Sequence, residues 1–223
     1  MHTYPFVNDK GHLFVELPEG SFLVDTGAPG SFGNRDTVTL ADKRMALAHS
    51  FMGLDAAVHE RLVGRPTSWL LGADILNQFD LVFDVPARTL KVSTTPLAFE
   101  GEAVPVDYVL GVPYLTVNVA GNEEKLFFDT GAQVSYWQDD SLESFPSMGT
   151  LSDFYPGFGE FSTDTHKVPL TVGKRRFEVR CGRLPGMLGM TLGLAGVSGI
   201  LGNEVLLTGP VAYLPSRNCL VMP

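Results

Sequence analysis

The chain has 223 residues, 44% of them hydrophobic and 18% charged, with 25 acidic against 16 basic side chains and a formal net charge of −9. That length and apolar share support a buried core in one or two compact units, and the negative balance speaks against a nucleic-acid partner, whose phosphates it would repel. Short alternating runs punctuated by 24 Gly and 15 Pro, with little helical periodicity, read as mainly β.

At the start, Met1 to Pro5 shows no basic region followed by an apolar stretch. No signal peptide or propeptide-length extension is read there, and a cytoplasmic setting is expected if the chain is complete. His12 to Leu17 alternates as a strand should. Next, Phe22-Leu23-Val24 runs into Asp25-Thr26-Gly27-Ala28. An acid straight after an apolar run sits where a strand ends and a tight turn begins, and the glycine supplies a permissive backbone. Val38 to Met45 reads as strand, turn and strand. Leu70-Leu71-Gly72 follows, with Asn77 to Asp80 expected in a short helix, then strands at Leu81 to Asp84 and Arg88 to Val92.

Beyond a join near Thr94 to Pro105, the same plan recurs. Leu115 to Val119 matches Leu13 to Leu17, and Phe127-Phe128-Asp129-Thr130-Gly131-Ala132 matches the first acidic turn. Leu170 to Phe177 matches Val38 to Met45, and Ile200-Leu201-Gly202 matches Leu70-Leu71-Gly72. Val211 to Leu214 and Asn218 to Met222 match the last two strands. Two similar lobes are therefore expected, 1–97 and 98–223. Asp25 and Gly72 are 47 positions apart and Asp129 and Gly202 are 73, so the second lobe holds 26 more residues. The excess falls before Leu170 and predicts a flap-like insert at about 147–170, while the first lobe lacks a long flap. Within it, Asp153-Phe154-Tyr155-Pro156-Gly157-Phe158-Gly159-Glu160-Phe161 suits a mobile hairpin tip lying over a ligand.

Competing chemistries find little support. Five histidines are scattered, with neither His-Glu-x-x-His nor Cys-x-x-Cys, so no metal is expected. No Gly-x-Ser-x-Gly elbow or phosphate-binding glycine loop is present, and no cofactor is expected. Lys174-Arg175-Arg176 and Asp139-Asp140 read as solvated turns. Ser31 and Ser135, at one offset after each Asp, read as turn hydrogen bonds. Trp69 and Trp137 read as core before substrate contact. Leu184 to Gly202, broken by glycines, Pro185, Thr191 and Ser198, reads as buried strand and loop and not as a membrane span. Cys181 and Cys219 read as buried free thiols, with one bridge between them left open.

The doubled apolar-apolar-Asp-Thr-Gly-Ala, each with its own later apolar-apolar-Gly, and the segment Phe79 to Asp84 resemble the aspartic proteases of the pepsin and retropepsin superfamily over nearly the full length. The resemblance implies an acid-protease β-fold with the site between two lobes. Asp25 and Asp129 would be the catalytic acids, and Thr26 and Thr130 the threonines that tie the two loops together. Gly27 and Gly131 would let each loop turn, and Tyr155, with Gly157 and Phe158, would form the flap. Pepsin-like enzymes carry their flap on the first lobe and retropepsins carry one on each subunit, whereas this chain resembles a small, fused relative with one flap on the second. Alanine follows Asp-Thr-Gly in both copies, as in many retropepsins.

Two carboxyls about 3 Å apart cannot both ionise cheaply, so they share one proton. The ionised partner takes a proton from water, which attacks the scissile carbonyl, while the protonated partner bonds the carbonyl oxygen. Ala28 and Ala132 omit a hydroxyl that would stabilise the ionised form, which predicts a mildly acidic optimum. Aromatic residues Phe32, Tyr136, Trp137, Tyr155 and Phe158 are expected to line the cleft and favour bulky apolar side chains. The expected function is an aspartic endopeptidase acting on peptide or protein substrates, with no membrane partner and a monomer sufficient for catalysis. The alternatives are a catalytically silent peptide-binding module of the same fold and a coincidence of two β-domains.

Overall fold

The computed structural model describes residues 1–51, 54–55, 69–155 and 158–223, with the backbone alone at 54, 55 and 69. The first half holds β1 (His2–Asp9), β2 (His12–Leu17), β3 (Gly20–Val24), β4 (Phe32–Gly33), β5 (Thr37–Leu40) and β6 (Lys43–Ala46). It continues with β7 (Ser50–Phe51), β8 (Leu54–Asp55), β9 (Trp69–Leu71), helix α1 (Ala73–Leu76), β10 (Asp80–Asp84) and β11 (Thr89–Ser93). The second half holds β12 (Glu102–Pro105), β13 (Asp107–Val109), β14 (Val112–Val119), β15 (Asn122–Phe128), β16 (Ser135–Trp137) and β17 (Ser147–Tyr155). After these come β18 (Gly159–Val172), β19 (Arg175–Gly182), helix α2 (Gly186–Leu194), β20 (Gly199–Leu201), β21 (Val211–Leu214) and β22 (Cys219–Met222). The chain is mainly β, 55% strand and 12% helix.

Local chemistry sets the tight hairpins. β1 and β2 are joined by Lys10-Gly11, with φ of 51° and 86°, and β13 and β14 by Leu110-Gly111, with φ of 51° and 84°. Two-residue loops with both φ positive twist in the sense of the flanking strands, so they close hairpins without splaying them.

Two sets of strands share one pairing pattern. In the first half, β3 lies parallel to β9, pairing Val24 with Leu71, and β4 crosses antiparallel, pairing Phe32 with Leu70. In the second half, β15 lies parallel to β20, pairing Phe128 with Leu201, and β16 crosses antiparallel, pairing Tyr136 with Ile200. The halves join through one continuous sheet in the order β12-β22-β21-β10-β11-β1. At its centre β10 pairs antiparallel with β21, Val82 facing Ala212. The main core follows this join. Phe6, Phe83, Phe128 and Tyr213 touch in series through tilted and edge-on contacts, with ring centroids 5.9, 6.5 and 5.9 Å apart, and Phe128 immediately precedes Asp129.

Two local readings are corrected. The short helix behind Gly72 spans Ala73–Leu76, not Asn77 to Asp80; Asn77 ends it, and Asp80 belongs to β10, opposite Ser93. The buried Asp80 carboxylate accepts from the Leu97 and Ser216 amides and the Ser216 hydroxyl, which ties it into the sheet join. Leu184 to Gly202 is not strand and loop throughout, because Gly186–Leu194 forms α2. Its glycines hide the helical signal, but Leu188 and Leu192, one turn apart, bury one face against Val134 and Tyr136. Among the described residues no helix is long and apolar enough to cross a membrane.

Candidate active site

Each acid sits at the end of its strand, held from behind by the matching glycine segment. The Asp25 amide donates to Leu71 O at 3.0 Å, and the Asp129 amide to Leu201 O at 3.0 Å. Gly72 and Gly202 follow because the opposing turns pass so close. A Cβ there would lie 2.7 Å from Ala28 O and 2.5 Å from Val134 O, respectively. Ser31 and Ser135 fix the same contact, accepting from the Gly72 amide at 2.8 Å and the Gly202 amide at 3.1 Å. Their common offset in the sequence has this cause.

The two acidic turns meet through a reciprocal set of hydrogen bonds. The Thr26 amide donates to Thr130 Oγ1 at 3.0 Å, and the Thr130 amide to Thr26 Oγ1 at 3.0 Å. Each hydroxyl then donates across the interface, Thr26 to Phe128 O at 2.6 Å and Thr130 to Val24 O at 2.7 Å. Both threonines are fully buried. Both hydroxyls and both amides of this knot are partnered, so the turns are locked together at the base of the site.

Above the knot, Asp25 and Asp129 face one another within hydrogen-bond reach. Asp25 Oδ1 accepts from the Ala28 amide at 2.9 Å, and Asp129 Oδ1 from the Gly131 amide at 2.8 Å and the Ala132 amide at 3.2 Å. Each carboxyl lies over the opposite glycine: a Cβ on Gly27 would stand 2.2 Å from Asp129 Cγ, and one on Gly131 2.5 Å from Asp25 Cγ. The glycines are therefore required by close approach, since no methyl fits between either glycine and the carboxyl facing it. Gly27→Ala is expected to push the Asp129 carboxyl aside and lower any turnover at this pair by about 100-fold, the scale of a 1 Å misplacement. Steady-state kinetics beside a melting curve tests it; wild-type turnover in the folded variant would contradict it.

Burial is the largest influence on both carboxyls and raises both above the ordinary carboxylate range. For Asp25 the Asp129 charge and their mutual hydrogen bond add to the rise. For Asp129 that bond and the Gly131 and Ala132 amides oppose it. The two carboxyls influence one another, so their titration belongs to the pair.

The 26-residue excess of the second half is largely a long hairpin, β17 with β18, pairing Asp153 with Phe161 and Tyr155 with Gly159. Tyr155 lies close to the acids: burial first, then the Asp129 and Asp25 charges, raise its hydroxyl pKa. Phe154, on the other face of the strand, reaches the first half and packs with Phe14, Leu23, Phe32 and Leu70. The hairpin thus bridges both halves across the acids. Phe158 is exposed at the tip, 6.3 Å edge-on from Phe161. Gly157 lies outside the described residues.

Among the proposed lining residues, Trp137 is corrected. It is 1% exposed within the main core, because alternation along β16 turns it away from the side that Tyr136 occupies. Phe32 is buried beneath Phe154, and Tyr136 joins Tyr155 and Leu188 in a second cluster. The sequence reading missed Asp153, which accepts from the Tyr136 hydroxyl, and the contacts of the Lys10-Gly11 turn with the second half. There Asn203 Nδ2 donates to Gly11 O at 2.8 Å and to Thr130 O at 3.1 Å. Alternation places Asp153 on the face of Tyr155, and that was the available signal.

Cys181 and Cys219 are buried and free. Among the described residues no group of histidine, cysteine and acidic side chains could hold a metal ion.

No protein-family model matches the chain, and neither does any curated protein. Solved structures do. An aspartic proteinase from Irpex lacteus superposes with a TM-score of 0.54 at 13% identity, over 98% of this chain and 96% of that one. The Basic 7S globulin from soybean superposes with a TM-score of 0.54 at 10% identity, over 98% of this chain and 93% of that one. At such identities the likeness shows the fold alone: the chain has a pepsin-like aspartic proteinase fold. One neighbour is named as a proteinase and the other as a globulin, so activity has to be argued from the site.

Proposed function

We propose that the chain is an aspartic endopeptidase that hydrolyses peptide bonds with water activated between Asp25 and Asp129. The observation that carries this reading is the reciprocal placement of the two carboxyls over each other's glycine, above a fully bonded threonine knot. In this reading the pair holds one proton. The ionised member takes a proton from water as the oxygen attacks the carbonyl, and the protonated member donates to the developing oxyanion. A proton then passes to the leaving amine, so neither covalent intermediate nor metal is needed. Tyr155 and Phe154 screen the reacting centre from bulk water, and the Thr26–Thr130 bonds keep the carboxyls from drifting apart.

The pH dependence follows from the raised pair. Turnover falls at high pH as the shared proton is lost, and at low pH as both carboxyls become protonated, giving a bell with a mildly acidic optimum. Stability moves with one sign throughout. The folded pair binds more protons than the same groups unfolded, so its contribution worsens as pH rises through the unfolded value towards the raised one.

Cleavage of a mixed peptide library between pH 3 and 7, with and without a statine-type transition-state analogue, tests the reading. Cleavage that the analogue blocks supports it. Analogue binding without cleavage at any pH would replace it with a silent peptide-binding module of the same fold. A profile peaking below about pH 3, under the range of a raised carboxyl pair, would contradict the proposed titration.

A further inference from the structure

Asp153 is set apart from the other surface acids by its place on the hairpin. β17 alternates, so Phe154 turns to the first half while Asp153 and Tyr155 share the opposite face. The Asp153 Oδ2 accepts from the hydroxyl of Tyr136, whose strand follows directly on the Asp129 turn, and Oδ1 accepts from the Phe154 amide at 2.8 Å. Both donors are neutral and between them they fix the carboxyl. Among the described residues no lysine or arginine forms an ion pair with it.

One group nearby able to become cationic is His12, at the start of β2, whose Nε2 lies 2.6 Å from Gln133 Nε2. Burial is the largest influence on that imidazole and favours its neutral form, against the weaker pull of Asp153 and Asp9. The Asp153 charge is also felt at Asp129. A third, partly buried carboxyl therefore stands near the acid pair, and among the described residues no lysine or arginine is ion-paired with it. Two carboxylate oxygens offer about four acceptor sites, and two are filled, so an ammonium or guanidinium can still bond.

We propose that Asp153 determines specificity in the cleft, selecting peptides that carry a lysine or arginine side chain close to the cleaved bond. This rests on the peptidase reading above, and at one subsite it replaces the expectation of bulky apolar side chains alone. The net charge of −9 acts in the same direction at long range, drawing basic segments towards the cleft.

The test uses one peptide frame with lysine, arginine, norleucine or glutamate at each of two positions on either side of the cut. The wild type, Asp153→Asn and Asp153→Lys are assayed for kcat/KM. At one position lysine or arginine is expected to exceed norleucine by about 10- to 100-fold, the worth of one hydrogen bond to a charged group. Asp153→Asn keeps an acceptor for Tyr136 but should bring that ratio close to unity, and Asp153→Lys should turn the preference towards glutamate. Each ratio is taken within one protein, so a partly unfolded variant still reports it. Norleucine peptides cleaved as well as lysine peptides at every position, or a lysine preference that survives in Asp153→Asn, overturns this inference and leaves the peptidase reading standing. If the wild type cleaves no peptide, both are overturned.

Discussion

Asp25→Asn and Asp129→Asn are each expected to lower peptide cleavage by about 10,000-fold or more, the scale seen when one member of a catalytic unit is removed. Asparagine keeps the shape and the acceptor oxygen, so the Ala28, Gly131 and Ala132 amides retain their partners. What disappears is the capacity to hold and pass one proton between the two sites. The double variant should be little worse than either single one, because the carboxyls act as a unit. Folding should not suffer. Burial and mutual repulsion already disfavour the charged pair, so removing one charge is expected to leave the melting temperature at neutral pH unchanged or raised. Kinetics and calorimetry on one preparation of each variant separate the two effects. Either variant turning over at the wild-type rate would end the proposed mechanism, and a silent fold would show no cleavage in the wild type either.

The second large effect is on stability. Thr26→Val preserves shape but removes a hydroxyl that donates to Phe128 O and accepts from the Thr130 amide. Both partners are then stranded at a position with no solvent access. Leaving two buried groups unpaired costs about 2–5 kcal/mol, which is a large part of the 5–15 kcal/mol or so that typically holds a fold together. Thr130→Val should cost a similar amount, since its hydroxyl serves Val24 O and the Thr26 amide in the same way. Thr26→Ser keeps the hydroxyl and loses one methyl, about 1 kcal/mol. Urea unfolding of the three variants, read as midpoints at constant slope, is the measurement. Equal midpoints for Thr26→Val and Thr26→Ser would show that the hydroxyl contributes nothing to joining the halves.

Much of this architecture is legible in the chain because several short motifs recur in it. Phe22-Leu23-Val24 before Asp25 is ambiguous alone, but with Phe127-Phe128 before Asp129 and Leu70-Leu71-Gly72 alongside Ile200-Leu201-Gly202, the pattern carries strand, turn and partner. The parallel pairings Val24 with Leu71 and Phe128 with Leu201 join the segments that the repeat aligns. The short helix lies a few residues earlier than the sequence predicts because the pull of Asp80 into β10 is a tertiary effect. α2 is not legible in the sequence because glycine lowers helix propensity, while the burial of Leu188 and Leu192 that stabilises it depends on neighbours distant in sequence.

What the sequence determined by itself is local and periodic: the β character, the two Asp-Thr-Gly-Ala turns and the glycine after each apolar pair. These follow from strand alternation and turn chemistry, which act over a few residues. Tertiary structure decided what depends on groups brought together from afar. It set the carboxyls of Asp25 and Asp129 over each other's glycines, 104 positions apart, and turned Trp137 into the core while Tyr136 met Asp153. It also fused the two halves through β10 and β21. The raised carboxyls belong to this second class, since desolvation and the nearness of a second charge arise only when the halves close on one another.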